Sequence, residues 1–159
     1  MDDDKNYQND DSYAEDDGIY SYPDEVQIAE AREAGNQALA SLQVARESLA
    51  KASGWGMVDL FGGNIISGAM KYARINDAKK QIAQAKLDVQ VLSEKLGNLP
   101  GVDSIHLNVD GFLTFADFFL DGAVADILVQ AKIERARGSV DTAIASIKGA
   151  LNNLNNLPA

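Results

Sequence analysis

The chain has no cysteine, one histidine, one tryptophan and only three prolines among its 159 residues. Without thiols there is neither a disulfide framework nor thiolate chemistry, and the compartment expected is a reducing one. The single histidine, His106, would need a nucleophile brought beside it, and no Ser or Thr stands in a nucleophile-elbow pattern to serve. Long apolar runs are lacking as well. The most apolar stretch, 112–129, is interrupted by Asp117, Asp121 and Asp126, so no membrane-spanning helix is expected. Met1-Asp2-Asp3-Asp4 places acids where a secretory signal would carry bases, which gives an expectation of a cytoplasmic protein.

Basic charge is scarce in a particular way. The formal net charge is −10, yet residues 1–25 alone hold eight Asp, two Glu and one Lys. The remainder is close to neutral, with its bases scattered among acids, so a phosphate-binding face and a nucleic-acid partner are not expected. Residues 1–22 join acids to Asn, Ser, Gln and four tyrosines, with almost no aliphatic content to offset the entropy of ordering. They read as a disordered acidic tail, either a solubilising arm or an interaction segment, ahead of a helical domain over 23–159.

Helical periodicity dominates that domain. Ser21-Tyr22-Pro23-Asp24 looks like a helix start, and Ile28, Ala31, Gly35, Ala38, Leu42, Ala45, Leu49 and Ala52 then recur at alternating spacings of three and four. Ile75, Ala78, Ile82, Ala85, Val89, Leu92 and Leu96 repeat the pattern, with Asn76-Asp77 as a cap or kink at the start and Gly97 to Gly101 as the stop. A third stripe runs through Val129, Ile133, Ala136, Val140, Ala143, Ile147, Ala150 and Leu154. Small residues on alternate layers let helices approach toward the low end of the usual spacing of ~8–10 Å. The expected fold is all-α: three long helices in a coiled-coil-like bundle with Ala-rich seams, short helical junctions and one extended connection. Ile105, Leu107 and Val109 alternate with polar residues and form that connection.

Any chemistry would sit at the two junctions. The first, 54–71, holds five glycines within fifteen residues together with Trp55, Asp59 and Phe61. No strand precedes these glycines, and Lys71 lies about two helical turns beyond Gly63, so they do not form a phosphate loop. The second, 112–126, carries Phe112, Phe115, Phe118 and Phe119, with Asp117, Asp121 and Asp126. Thr114-x-x-Asp117 reads as a capping box. Asp117 and Asp121 fall on one helical face, but their spacing matches no calcium loop, so neither a metal nor a cofactor is expected. Trp55, Asp59, Phe61, Asp117, Phe118, Asp121 and Asp126 are the candidate ligand or partner surface.

These junctions resemble a family of bacterial all-helical proteins with a W-G-x-x-D-x-x-G-G junction and a later F-x-D-F-F-x-D-G junction. Here the motifs run from Trp55 to Gly63 and from Phe115 to Gly122. The resemblance spans roughly 26–150 and implies a bacterial cytosolic protein with no assigned reaction. In that family a third glycine and a histidine are frequent where this chain has Asn64 and Tyr72. Function therefore reads as a non-enzymatic interaction or scaffold protein, forming a homo-oligomer or binding another protein. The alternative is a small-ligand or divalent-cation site at the aromatic and Asp junctions.

One geometric expectation follows from lengths. A helix from Asn76 to Leu96 is about 32 Å long, and an extended 97–111 spans at most about 50 Å. The connection can run back along the bundle. The third long helix would then lie parallel to the second, and Phe115, Phe118 and Phe119 would meet Trp55 and Phe61 at a bundle end.

Overall fold

The computed structural model describes residues 23–53, 68–102, 105–121 and 130–157. Four helices appear there: α1 (Glu25–Ser53), α2 (Gly68–Gly97), α3 (Asp110–Leu120) and α4 (Gln130–Asn155). No strand occurs among these residues, and the all-α expectation holds.

The heptad stripes form the core. Every expected stripe position described in α2 and α4 is buried, as is every one in α1 except Ala52 at its end. Ala31, Ala38, Ala45, Ala78, Ala85 and Ala143 have no exposed surface at all. Because alanine projects so little, the helix backbones themselves can come close. Gly35 takes this furthest: a Cβ there would lie 2.6 Å from Leu151 Cδ2, so the missing side chain is what seats Leu151 on α1.

Four interhelix contacts fix the directions. Lys95 meets Glu30 at 2.6 Å, and Ser48 Oγ donates to Asp77 at 3.5 Å, so α1 and α2 run antiparallel. Arg46 meets Asp141 at 2.7 Å and Arg32 donates to the Leu154 carbonyl at 2.8 Å, so α1 and α4 are antiparallel too. It follows that α2 and α4 are parallel, as the length argument allows. The Arg32 guanidinium also places positive charge at the C-terminal end of α4, where the helix dipole favours it.

A return path must therefore join the end of α2 to the start of α4. After Gly97 the chain turns through Pro100 and Gly101, whose φ of 71° suits a residue without a side chain. Residues 105–109 form neither helix nor strand and alternate in burial; Val109 is buried, Ile105 and Leu107 are partly so, and His106 and Asn108 face outward. The Asn108 amide donates to Ser146 Oγ at 2.7 Å, pinning this stretch to α4. Then α3 packs against both α2 and α4, while α1 packs against both from the other side. The molecule is a four-position bundle whose third position is half non-helical chain and half helix.

Several local expectations need correction. The start of α1 is capped by Asp24, whose Oδ1 accepts from the Gln27 amide at 2.7 Å while Gln27 Oε1 accepts from the Asp24 amide at 3.3 Å. This is a capping box one residue past Pro23, and Ser21 lies outside the described residues. Asn76 and Asp77 do not cap α2, whose described residues begin at Gly68 and run on through both; both face outward, and a polar pair without proline does not stop a helix. Thr114 and Asp117 do not form a capping box, because α3 starts a turn earlier at Asp110 with no side-chain cap. The apolar period through Val109, Phe112, Ala116 and Phe119 carries the helix back past Thr114, and Asp110 supplies the acid of the first turn.

Candidate functional site

The aromatic residues of the second junction all belong to α3, and they divide between two faces. Phe112, Ala116 and Phe119 point inward and are buried. Phe112 and Phe119 thus belong to the core. Phe112 is among the largest fully buried side chains described, because the half-length third position leaves room between α2 and α4 that alanine seams elsewhere do not. Phe115 is partly buried, its ring centre 5.4 Å from that of Phe119 at a tilt of 43°. Phe118 is 48% exposed.

Beside these rings lies a cleft of about 420 Å³ between α3 and α4. Gly111, Thr114, Phe115 and Phe118 form one wall, and Arg135, Ala136 and Ser139 the other. Its openness has a local cause. Ala136 and Ser139 are small and Gly111 has no side chain, so the phenylalanines stand above a low floor. A Cβ at Gly111 would rest 3.8 Å from Ser139 Cβ, an ordinary contact, so the glycine is not demanded by packing. The Ser139 hydroxyl donates to the Ala136 carbonyl within its own helix at 2.8 Å. That leaves Arg135 as the charged group of the lining, at the rim of an otherwise apolar cleft.

The acidic candidates do not converge on the cleft. Asp117 accepts from Lys86 of α2, on the side of α3 away from α4. Asp121 is the exposed C-cap of α3, its amide donating to the Asp117 carbonyl at 3.0 Å. Trp55, Asp59, Phe61 and Asp126 lie outside the described residues, and with them the expected meeting of the two aromatic junctions. The cleft is nonetheless in the half of the bundle where α1 ends and α2 begins, since Arg46 meets Asp141 and Ser48 meets Asp77 there.

His106 is exposed on the return segment. Among the described residues there is no group of three or more His, Asp or Glu side chains placed to hold a metal ion. No described helix is long and apolar enough to cross a membrane. Of the residues that line the cleft, sequence reading singled out Phe118 and noted Phe115. Arg135 and Ser139 of α4 and Gly111 of α3 were not legible, because they face one another across a gap and no spacing along the chain encodes that. Comparison with family models, curated proteins and solved structures finds no match.

Proposed function

We propose that the chain is a non-enzymatic helical interaction module of the cytoplasm, with the α3–α4 cleft as its docking surface. The observation that carries this reading is a half-exposed phenylalanine beside an apolar cleft with a single arginine at its rim. Exposed aromatic and arginine side chains around a concave apolar patch are the composition of protein-binding hot spots. The test is affinity capture with the whole chain and with Phe118→Asp, which keeps the helix while placing a charge at the mouth of the cleft. A protein retained by the parent and lost by the variant supports the reading. Equal capture by both, or by neither, overturns it.

The cleft volume favours a second reading, because small-molecule sites occupy about 300–1,000 Å³. A small apolar ligand with an acidic group would place its body on Phe115 and Phe118 and its charge on Arg135. Thermal shift against a panel of hydrophobic carboxylates separates the two readings. Saturating ligand raises the melting temperature of the parent by several degrees and leaves that of Phe118→Asp unchanged.

A further inference from the structure

A second surface lies on the outer side of α2, remote from the cleft. Leu87 is 57% exposed and Val91 47%. Single exposed apolar residues are ordinary on any surface, but these two belong to a pattern. Lys80, Gln84, Leu87, Val91 and Glu94 are spaced four, three, four and three apart, all outward except for the partners they touch at the edges. The spacing repeats that of the buried stripe through Ile82, Ala85 and Val89 on the opposite face of the same helix. So α2 carries two heptad seams, one used inside the bundle and one presented outward.

The outer seam has a direction. Lys80 stands at one end, Glu94 at the other, each one heptad from Leu87. Gln84 leans along its own helix, its amide donating to Asp88 at 3.0 Å, and brings no net charge to the middle. The neighbouring helix does not close over this strip. Val44 of α1, two heptads beyond Glu30, and Val91, two heptads beyond Asp77, share the heptad positions at which α1 and α2 touch through Glu30 and Asp77. Both are exposed nonetheless, Val44 at 45%.

A seam that is apolar in its centre, positive at one end and negative at the other is complementary to itself turned end for end. We propose that α2 pairs through this seam with α2 of a second copy of the same chain, antiparallel about a two-fold axis at Leu87. Leu87 of one copy then covers Leu87 of the other, and Val91 lies against Gln84. Lys80 reaches toward Glu94 of the second copy, and the symmetry supplies this charge pair twice. A parallel arrangement would set Lys80 beside Lys80 and Glu94 beside Glu94, so the charges also select the orientation. From Lys80 to Glu94 the contact runs about 21 Å along the helix. That makes it one of the small interfaces, and its affinity belongs to the weak, concentration-dependent class.

The proposal is independent of the α3–α4 cleft, since no residue of the seam lines it, and the test leaves Phe118 unchanged. Sedimentation equilibrium on the full chain, at concentrations rising to about 1 mM, should show a monomer–dimer equilibrium. Leu87→Glu should leave a monomer with unaltered helical circular dichroism. Lys80→Glu and Glu94→Lys should each weaken self-association about tenfold, because each turns two attractive pairs into two repulsive ones. An equimolar mixture of Lys80→Glu and Glu94→Lys chains should recover the parent affinity as a heterodimer, an outcome that altered folding cannot produce. A parent that stays monomeric throughout, a Leu87→Glu chain that still dimerises, or a mixture that does not recover would each overturn it.

Discussion

The α1–α2 side of the bundle and the α3–α4 side solve the same packing problem with different residues. Between α1 and α2 the layers are built from Ala31, Ala38, Ala45, Ala78 and Ala85, all fully buried. Side chains that small leave little to hold the helices apart. Between α3 and α4 the rings of Phe115 and Phe118 face Ala136 and Ser139, and large against small across a gap leaves the cleft. The cleft is a by-product of mismatched side-chain size, located where the bundle's third position is only partly helical.

The largest effect should come from the side that is open. Phe112 is 1% exposed and sits on the inward face of α3. Phe112→Ala should cost about 3–5 kcal/mol in chemical denaturation, since a buried ring lost without collapse leaves a cavity. A loss below ~1 kcal/mol would mean that α3 contributes little to the core, and the comparison would fail.

The close-packed side should respond to the opposite change. Ala45→Leu should destabilise by about 1–3 kcal/mol by forcing α1 away from its neighbours. The same enlargement facing the cleft, Ser139→Leu, should cost under ~1 kcal/mol, because the open space accepts it. Equal losses for the two variants would erase the distinction between the sides.

The smallest effect concerns charge at the α1–α2 edge. Glu30, by a hydrogen bond first and by its charge second, raises the Lys95 ammonium above its ordinary 10.5. A folded pKa above the unfolded one stabilises fully below the unfolded value and is lost as pH rises through the folded value. The parent should therefore lose more melting temperature than Glu30→Gln between about pH 10 and 12. The pair is exposed, so the difference should shrink in high salt. Identical pH profiles would show the contact to be inconsequential in solution.

How much of this could be read from the chain varies with the kind of signal. The alanine seams were legible because a heptad stripe records burial directly, and Ala38, Ala85 and Ala143 are each where the stripe puts them. The return of 105–109 was legible too, from chain length against helix length and from the alternation that ends in buried Val109. Caps were less so. Asp24 and Ser21 are both good capping residues, and only the position of Gln27 in the folded helix distinguishes them. Asp117 shows the limit most plainly. Its neighbours in sequence suggest a cap or an acidic pair, whereas its partner is Lys86, thirty-one residues away. The cleft had no sequence signature at all, because an empty space is defined by what two distant segments fail to fill.

The contact between Arg32 and the Leu154 carbonyl joins residues 122 apart, and this bears on the order in which the chain assembles. The pairings of α1 with α2 close much shorter loops, 29 residues at Ser48 and 65 at Lys95. Loop-closure entropy grows with length, so the α1–α2 hairpin should form before α4 docks onto α1. Since α3 needs both α2 and α4 in place to bury Phe112 and Phe119, it should order last on the way in and open first on the way out. Lesions on α1 or α2 should then slow folding, whereas lesions on α3 should speed unfolding and leave the folding rate nearly untouched.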